Sequence, residues 1–279
     1  MLKYMSTFYK NKVVVVTGSG SGMGKEIAIQ LAKAGAKLAL NDWNPETLGE
    51  TVAQLGLESD HILTQAFDVG KREKVYDFAA QVIKHFGQVD VVINNAGIAL
   101  APATIERTNY EDFEKVVNIN MWGMIYGTKA FLPYLKERPS GAIANVSSVF
   151  GIMGYPSQGP YVTTKFAIRG FTETLRIELK NTNITISSIH PGGIKTNIVR
   201  NIEKVDDEQK EEMAKGFEEV APTTASQAAT IILEGIAKGK ARILIGKDAR
   251  SIDRLTRLFP SSYEKQVLKR IDNPALFDE

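Results

Sequence analysis

Tyr161 and Lys165 stand four residues apart at the end of the stretch S-S-V-F-G-I-M-G-Y-P-S-Q-G-P-Y-V-T-T-K, which runs from Ser147 to Lys165. If the segment from 161 to 180 is helical, as the apolar spacing Val162, Phe166, Phe171, Leu175, Leu179 predicts, both side chains lie on one face, one turn apart. Pro160 then falls in the first turn, where a helix tolerates it. A phenol with a pKa of about 10 exchanges protons poorly at neutral pH. An ammonium roughly 5 Å away, in an effective dielectric of about 20, favours the phenolate by roughly 3 kcal/mol, or about two pKa units. That chemistry is a proton shuttle for a reacting hydroxyl or carbonyl. A lone Tyr-x-x-x-Lys pair is more often the surface of a helix, so the reading needs a redox-cofactor site, a hydroxyl donor and a polar group that holds the lysine.

The elements that could position such a pair are written along the chain. Lys12 to Gly24 reads K-V-V-V-V-T-G-S-G-S-G-M-G, a β-branched run, a glycine loop and then a helical pattern through Ile27, Leu31 and Ala34. A run apolar on both faces predicts a central parallel strand. Gly18, Gly22 and Gly24 permit a tight turn and close approach of a pyrophosphate to the amides of a helix N-terminus, although glycine turns after strands also serve packing alone. The next strand, Lys37 to Asn41, ends at Asp42, eighteen residues beyond Gly24, near the spacing at which an acid meets an adenosine ribose. Helix and strand then alternate: helix from about Pro45 to Leu55, strand Ile62 to Phe67, helix Arg72 to Phe86, strand Val89 to Ile93, a long helix from about Tyr110 to Leu135, strand Ala142 to Val146. After the Tyr161 helix come strand Ile184 to His190, helix Ser226 to Lys238 and strand Arg242 to Ile245. Residues before Lys12 read as a short tail. Seven strands joined by helices argue for a single α/β domain, a doubly wound parallel sheet flanked by helices, with ligands beyond the C-terminal strand ends.

Those ends carry polar or loop-forming residues in succession. Thr17 and the glycine loop follow the first strand, Asp42 the second, Asp68 the third, Asn94-Asn95-Ala96-Gly97 the fourth, Ser147-Ser148 the fifth and Pro191-Gly192-Gly193 the sixth. One continuous site across the strand tips accounts for all six.

Composition narrows the chemistry. A net charge of +2 over 279 residues, with acids and bases interspersed, gives no nucleic-acid footprint. With no cysteine, disulfides and thiol catalysis are out, and three scattered histidines, His61, His85 and His190, do not make a usual zinc site, so no metal is expected. No apolar run approaches a membrane span and the N-terminus lacks a signal-peptide apolar region, which makes a cytoplasmic protein the default expectation.

Taken together, Thr17-Gly18-x-x-x-Gly22-x-Gly24, Asp68, Asn94-Asn95-Ala96-Gly97, Asn120 in N-I-N-M-W-G, Ser148, Tyr161-x-x-x-Lys165 and Pro191-Gly192-x-x-x-Thr196 resemble the short-chain dehydrogenase/reductase family from about Lys12 to Ile245. The family's serine lies thirteen residues before its tyrosine, which selects Ser148 over Ser147. The resemblance implies a Rossmann-type fold and an NAD(P)-dependent oxidoreductase that interconverts a secondary alcohol and a ketone or aldehyde by hydride transfer. It makes Tyr161 the general acid-base, has Lys165 lower its pKa and bond the nicotinamide ribose, has Ser148 hold the substrate oxygen, and has Asn120 anchor a relay water. Asn120 could instead only bridge backbone groups within the long helix, and Thr196 only cap the following segment. The resemblance further places Asn95 and Gly97 at the strand-four tip against the cofactor, Asp68 at the adenine edge, and Ile194 and Thr196 at the carboxamide. Ser21, Met23, Trp43, Val69, Ala96, Pro191 and Gly192 complete the expected cofactor contacts.

Asp42 points to NAD rather than NADP, because a 2'-phosphate there meets a carboxylate at a cost on the order of 4 kcal/mol. NADP-preferring members of the family carry a base where this chain has Ser21 or Trp43; the alternative role for Asp42 is to cap the following helix. Phe150, Tyr155, Gly192 and Ile198 are the expected substrate pocket, suited to a neutral, lipophilic small molecule, and the charged segment 195–222 is the expected lid. The core spans about 12–246, and an extension follows over 247–279. There Ile252, Leu255 and Phe259 make an apolar stripe beside Arg250, Arg254, Arg257, Lys265, Lys269 and Arg270. Such a basic amphipathic segment can pack against a neighbouring subunit, cover the cleft or rest on a membrane surface. Family members form homodimers or homotetramers through their long helices. A non-catalytic dinucleotide-binding regulator on the same fold, or an NADPH-dependent carbonyl reductase, are the competing functions.

Overall fold

The computed structural model describes residues 2–196, 198, 200, 202 and 206–268; Lys269 and Arg270 lie outside the described residues. In chain order the elements are α1 (Leu2–Tyr9), β1 (Val13–Thr17), α2 (Gly22–Lys33), β2 (Lys37–Asp42), α3 (Pro45–Ala53), β3 (Ile62–Ala66), α4 (Arg72–Phe86) and β4 (Val91–Asn94). Next come α5 (Tyr110–Val116), α6 (Gly123–Lys136), β5 (Gly141–Val146), α7 (Gly159–Glu178) and β6 (Ile184–Pro191). The chain goes on through β7 (Ile194–Lys195), α8 (Asp207–Val220), β8 (Thr223–Thr224), α9 (Ala225–Ala237), β9 (Arg242–Ile245), α10 (Lys247–Leu258) and α11 (Glu264–Leu268).

Seven strands form one parallel sheet in the order β3-β2-β1-β4-β5-β6-β9, while β7 and β8 pair separately. The β-branched run of β1 is explained by its place in the middle. Val14 and Val16 enter the core on one face, beside Ile27 and Leu31 of α2 and Ile232 of α9; Val13 and Val15 enter the other, beside Phe78 of α4 and Phe131 of α6. Each of the four valines is at most 1% exposed, so every one removes its full side chain from water, worth roughly 1.5–3 kcal/mol apiece. The strand order reverses between β1 and β4, and in such sheets the crevice beyond that point takes ligands.

Three features depart from the sequence expectation. The segment before Lys12 is helical: α1 packs on α9, with Tyr9 fully buried and its hydroxyl donating to the Leu233 carbonyl at 2.8 Å. The long helix is broken by a π segment, Val117–Trp122, between α5 and α6. The extension begins as α10 and packs beside β9; Ala249 and Asp253 are buried, Ile252 and Leu255 are half-buried, and Leu258 and Phe259 are exposed. Among the described residues no helix is long and apolar enough to cross a membrane, and no group of acids and histidines could hold a metal.

Candidate active site

The glycine loop between β1 and α2 is shaped by close backbone approach. Gly18 has φ +67°, and a methyl group there would lie 2.8 Å from Ala96 Cα; one at Gly24 would lie 1.9 Å from the Gly18 carbonyl oxygen. Thr17 Oγ1 accepts from the Asn95 and Ala96 amides at 3.1 Å each, and Asn95 Nδ2 donates to the Thr17 and Gly18 carbonyls. The tips of β1 and β4 are thereby stitched together, and Thr17 serves the loop rather than the open groove.

The groove beside them has a volume of about 380 Å³. Gly18, Ser21, Gly22 and Met23 line its start, Asp42 and Trp43 one flank, and Asp68 and Val69 the next strand tip. Asn95, Ala96 and Gly97 close it from β4, with Thr196 and Ile198 opposite. A methyl group at Gly22 would lie 3.2 Å from Thr196, so the two walls nearly touch. Asp68 Oδ1 accepts from the Gly70 amide at 2.8 Å and shapes the turn after β3. Gly24, Ile194 and Pro191 support the walls rather than line them: Ile194 is 4% exposed, and Pro191 ends β6. An elongated groove whose floor admits no Cβ, over the N-terminus of α2, suits a dinucleotide pyrophosphate.

Asp42 works harder than expected. It is 7% exposed, and its Oδ2 accepts from the Gly20 amide at 2.7 Å while Oδ1 accepts from the Asn44 amide at 3.0 Å. The cap of α3 is Asn44, whose side chain accepts from the Glu46 and Thr47 amides, so the capping alternative for Asp42 does not hold. Asp42 also lines the groove, and each carboxylate oxygen can accept a further bond.

At the other end of the cleft, α7 starts at Gly159 with Pro160 in its first turn, which puts Tyr161 and Lys165 on one face as the spacing predicts. Ser148, on the turn after β5, accepts from the Phe150 amide at 3.1 Å and hydrogen-bonds Tyr161. Lys165 is 3% exposed, donates to the Val146 carbonyl at 3.0 Å, and sits 5.2 Å from the centre of the Tyr161 ring. The expectation that the ammonium pulls the phenol down is corrected. Burial pushes Tyr161 up to about 12, against a smaller downward pull from the Ser148 hydrogen bond, and burial pushes Lys165 down to about 8. Desolvation opposes charge on both members.

Asn120, in the π segment, is fully buried. Its Oδ1 accepts from the Ile98 amide at 2.8 Å, and Nδ2 donates to the Ile98 carbonyl at 3.0 Å and to Thr164 Oγ1 at 3.3 Å. It therefore ties the β4 loop to α7, and Gly97 packs close beside it: a methyl group there would lie 3.2 Å from Asn120 Oδ1 and 3.4 Å from Lys165 Nζ. The Phe150 and Tyr155 rings stack at 4.7 Å, and Phe150 meets Tyr161 edge-on at 6.2 Å. Of the expected pocket, Phe150 and Tyr155 thus join Tyr161, Ile198 belongs to the groove, and Gly192 is pressed against Asp248.

Several residues escape sequence reasoning. A second cavity of about 120 Å³ adjoins Tyr161 and is lined by Leu100, Ala101, Arg107, Asn109 and Gln158. His190, fully buried, has Nδ1 3.0 Å from the Ser148 carbonyl oxygen and Nε2 2.8 Å from Ser188 Oγ. Asp248 Oδ2 accepts from the Gly193 amide at 2.7 Å. Position next to the Pro-Gly-Gly turn is the one signal that could have flagged His190.

Comparison with known proteins agrees with this geometry. The short chain dehydrogenase family model matches residues 12–207. The chain belongs to the short-chain dehydrogenase family. It is 40% identical over 266 residues, covering 94% of this chain and 96% of the relative, to a Mycobacterium tuberculosis protein named as an oxidoreductase, SadH. It is 34% identical to levodione reductase of Leifsonia aquatica, over 78% of this chain and 83% of that one. A short-chain dehydrogenase/reductase from Burkholderia phymatum, solved in complex with NAD, superposes with a TM-score of 0.81 at 27% identity, over 95% of this chain and 97% of that one. The protein is a short-chain dehydrogenase family oxidoreductase.

Proposed function

We propose that this enzyme is an NAD-dependent dehydrogenase of a neutral, lipophilic secondary alcohol, working in reverse as a carbonyl reductase. The observation that carries the reading is the Ser148, Tyr161, Lys165 cluster, two hydroxyls and a buried amine converging at one end of a dinucleotide-sized groove. Gly18, Gly22 and the first turn of α2 would hold the pyrophosphate, Asp42 the adenosine ribose, and Lys165 the nicotinamide ribose. The bound dinucleotide supplies the hydride acceptor in oxidation and the donor in reduction.

The chain's own residues handle the proton. Ser148 accepts from the Phe150 amide and gives its own hydrogen to Tyr161, and turning that hydrogen to a substrate oxygen as charge grows there would stabilise the charge. Tyr161 takes the hydroxyl proton in oxidation and returns it in reduction. Lys165, pushed down to about 8, is the member of the pair able to pass that proton on near neutrality. The Asn120 side chain is spent on Ile98 and Thr164, so a relay water would rest on its main-chain carbonyl in the π segment. Phe150 and Tyr155 offer an apolar wall and no charge to a substrate.

The NAD assignment rests on the Asp42 carboxylate at the groove flank and on the lack of a cationic side chain at Ser21 or Trp43. Calorimetric titration with NADH and NADPH, followed by turnover of an alcohol panel with Tyr161→Phe, tests both halves. NADH is expected to bind at least about a hundredfold tighter than NADPH, and the variant to lose roughly a thousandfold in turnover with NADH affinity kept. Preferential NADPH binding refutes the Asp42 reading; full turnover in the phenylalanine variant refutes the proton role.

A further inference from the structure

The segment that follows the sheet reaches two of the active-site turns. Asp253 of α10, 8% exposed, pairs with Arg242 of β9 and lies 3.3 Å from Arg257, which pins the helix to the edge strand. One helical turn earlier, the Asp248 carboxylate receives the Gly193 amide, and a methyl group at Gly192 would lie 2.0 Å from it. Beyond α10 the chain folds back: the Tyr263 amide donates to the Phe259 carbonyl at 3.0 Å. The Tyr263 hydroxyl then accepts from the Gly154 amide at 3.0 Å, bridging 109 residues of chain.

Gly154 immediately precedes Tyr155, whose ring stacks on Phe150 with an interplanar angle of 19°, and Phe150 meets the Tyr161 ring at 86°. Tyr263, the Gly154 turn and the rings of Tyr155 and Phe150 thus form a chain of contacts that ends at the phenol. Gly154 is exposed, and its amide reaches past the Val149 turn bonds of Ile152 and Met153 to the Tyr263 hydroxyl. We propose that the segment from Lys247 to Tyr263 is a strap that sets the shape of the substrate pocket, with Tyr263 as the positioning residue that fixes the Gly154 turn. The occupant of that pocket is the apolar part of the alcohol, which rests on the reading of this site as a secondary-alcohol dehydrogenase; the strap itself does not.

Tyr263→Phe removes one oxygen and keeps the ring. Hydrogen exchange read by mass spectrometry on peptides covering 150–156 is expected to quicken about fivefold at Gly154, the worth of one net hydrogen bond. The KM for menthol is expected to rise by about the same factor, with kcat, the KM for isopropanol and NADH affinity changed less than about twofold. Tyr76→Phe, a change on the exposed side of α4, serves as the control and leaves exchange and kinetics alone. Unchanged exchange at Gly154 in Tyr263→Phe overturns the strap. Faster exchange with an unaltered KM for menthol overturns its role in the pocket. If the unaltered enzyme oxidises neither alcohol, the functional reading fails on these probes while the exchange result still decides whether Tyr263 holds the turn.

Discussion

At the glycine-loop end of the cleft, backbone atoms of the β1 and β4 tips approach so closely that an added Cβ does not fit between them; a methyl group at Gly24 would lie 1.9 Å from a carbonyl oxygen. At the Tyr161 end, strand tips are held apart by side chains withdrawn from water: Lys165 on the Val146 carbonyl, His190 on the Ser148 carbonyl, Asn120 on Ile98. One end is fixed by steric exclusion and the other by buried hydrogen-bonding groups, of which Lys165 and His190 can titrate. The first should break with added volume, and the second should respond to pH at nearly constant volume.

The largest effect is expected where volume is the constraint. Gly24→Ala should cost roughly 3 kcal/mol or more, seen as a lower Tm or, where the loop opens instead, as at least about a hundredfold loss of NADH affinity by calorimetry. Gly49, exposed within α3 with nothing within 4 Å of an added Cβ, provides the contrast. Gly49→Ala should leave binding alone and stabilise by up to about 1 kcal/mol. Equal behaviour of the two variants would remove the steric half of the comparison.

A comparable but pH-dependent effect is expected at His190. Burial pushes its imidazole down to about 4 from the ordinary 6.5, against the Ser148 carbonyl bond that pulls it up. The folded state therefore favours the neutral ring, with Nδ1–H donating to Ser148 and Nε2 accepting from Ser188. Above pH 6.5 neither state binds the proton and stability is flat; between 6.5 and 4 only the unfolded chain binds it, and stability falls with falling pH. The loss is on the order of 3 kcal/mol by the bottom of that window. His190→Asn keeps an amide donor for the Ser148 carbonyl and cannot titrate. Urea unfolding at a series of pH values should show a shallower acid slope in the variant, since carboxylates contribute equally to both; coincident slopes would clear His190 of the role.

How far each end could be read in advance follows the same division. The glycine loop, Asp42, Asn95 to Gly97 and Ser148 to Lys165 are legible because parallel strands buried on both faces leave β-branched runs, and the turns after them must carry small or polar residues within a few positions. The start of α7 at Gly159 falls two residues ahead of the predicted 161, within the ordinary fraying of a helix end. Tyr9, His190, Asp248 and Tyr263 are illegible for a different reason: their partners lie 224, 42, 55 and 109 residues away. No local pattern records a hydrogen bond of that span. The π segment at Asn120 is hidden likewise, since its apolar spacing reads as continuous helix and the bond to Ile98 reaches across 22 residues.

The smallest effect per unit change, and the sharpest test of the second end, is the pH dependence of turnover. Burial leaves Lys165 at about 8 and Tyr161 at about 12, so the lysine is the member of the pair that changes charge near neutrality. Oxidation requires the pair to accept a proton, and reduction requires it to hold one. The oxidation rate should therefore climb about tenfold per pH unit below the lysine's value and level off above it, while reduction should be flat below and decline above. The break belongs to the coupled pair, not to either group alone. Lys165→Arg keeps a cation facing the Val146 carbonyl but cannot release its proton, so the break near pH 8 should vanish from the variant's oxidation profile, whatever rate remains. An unchanged break in Lys165→Arg would mean that the titrating group lies elsewhere.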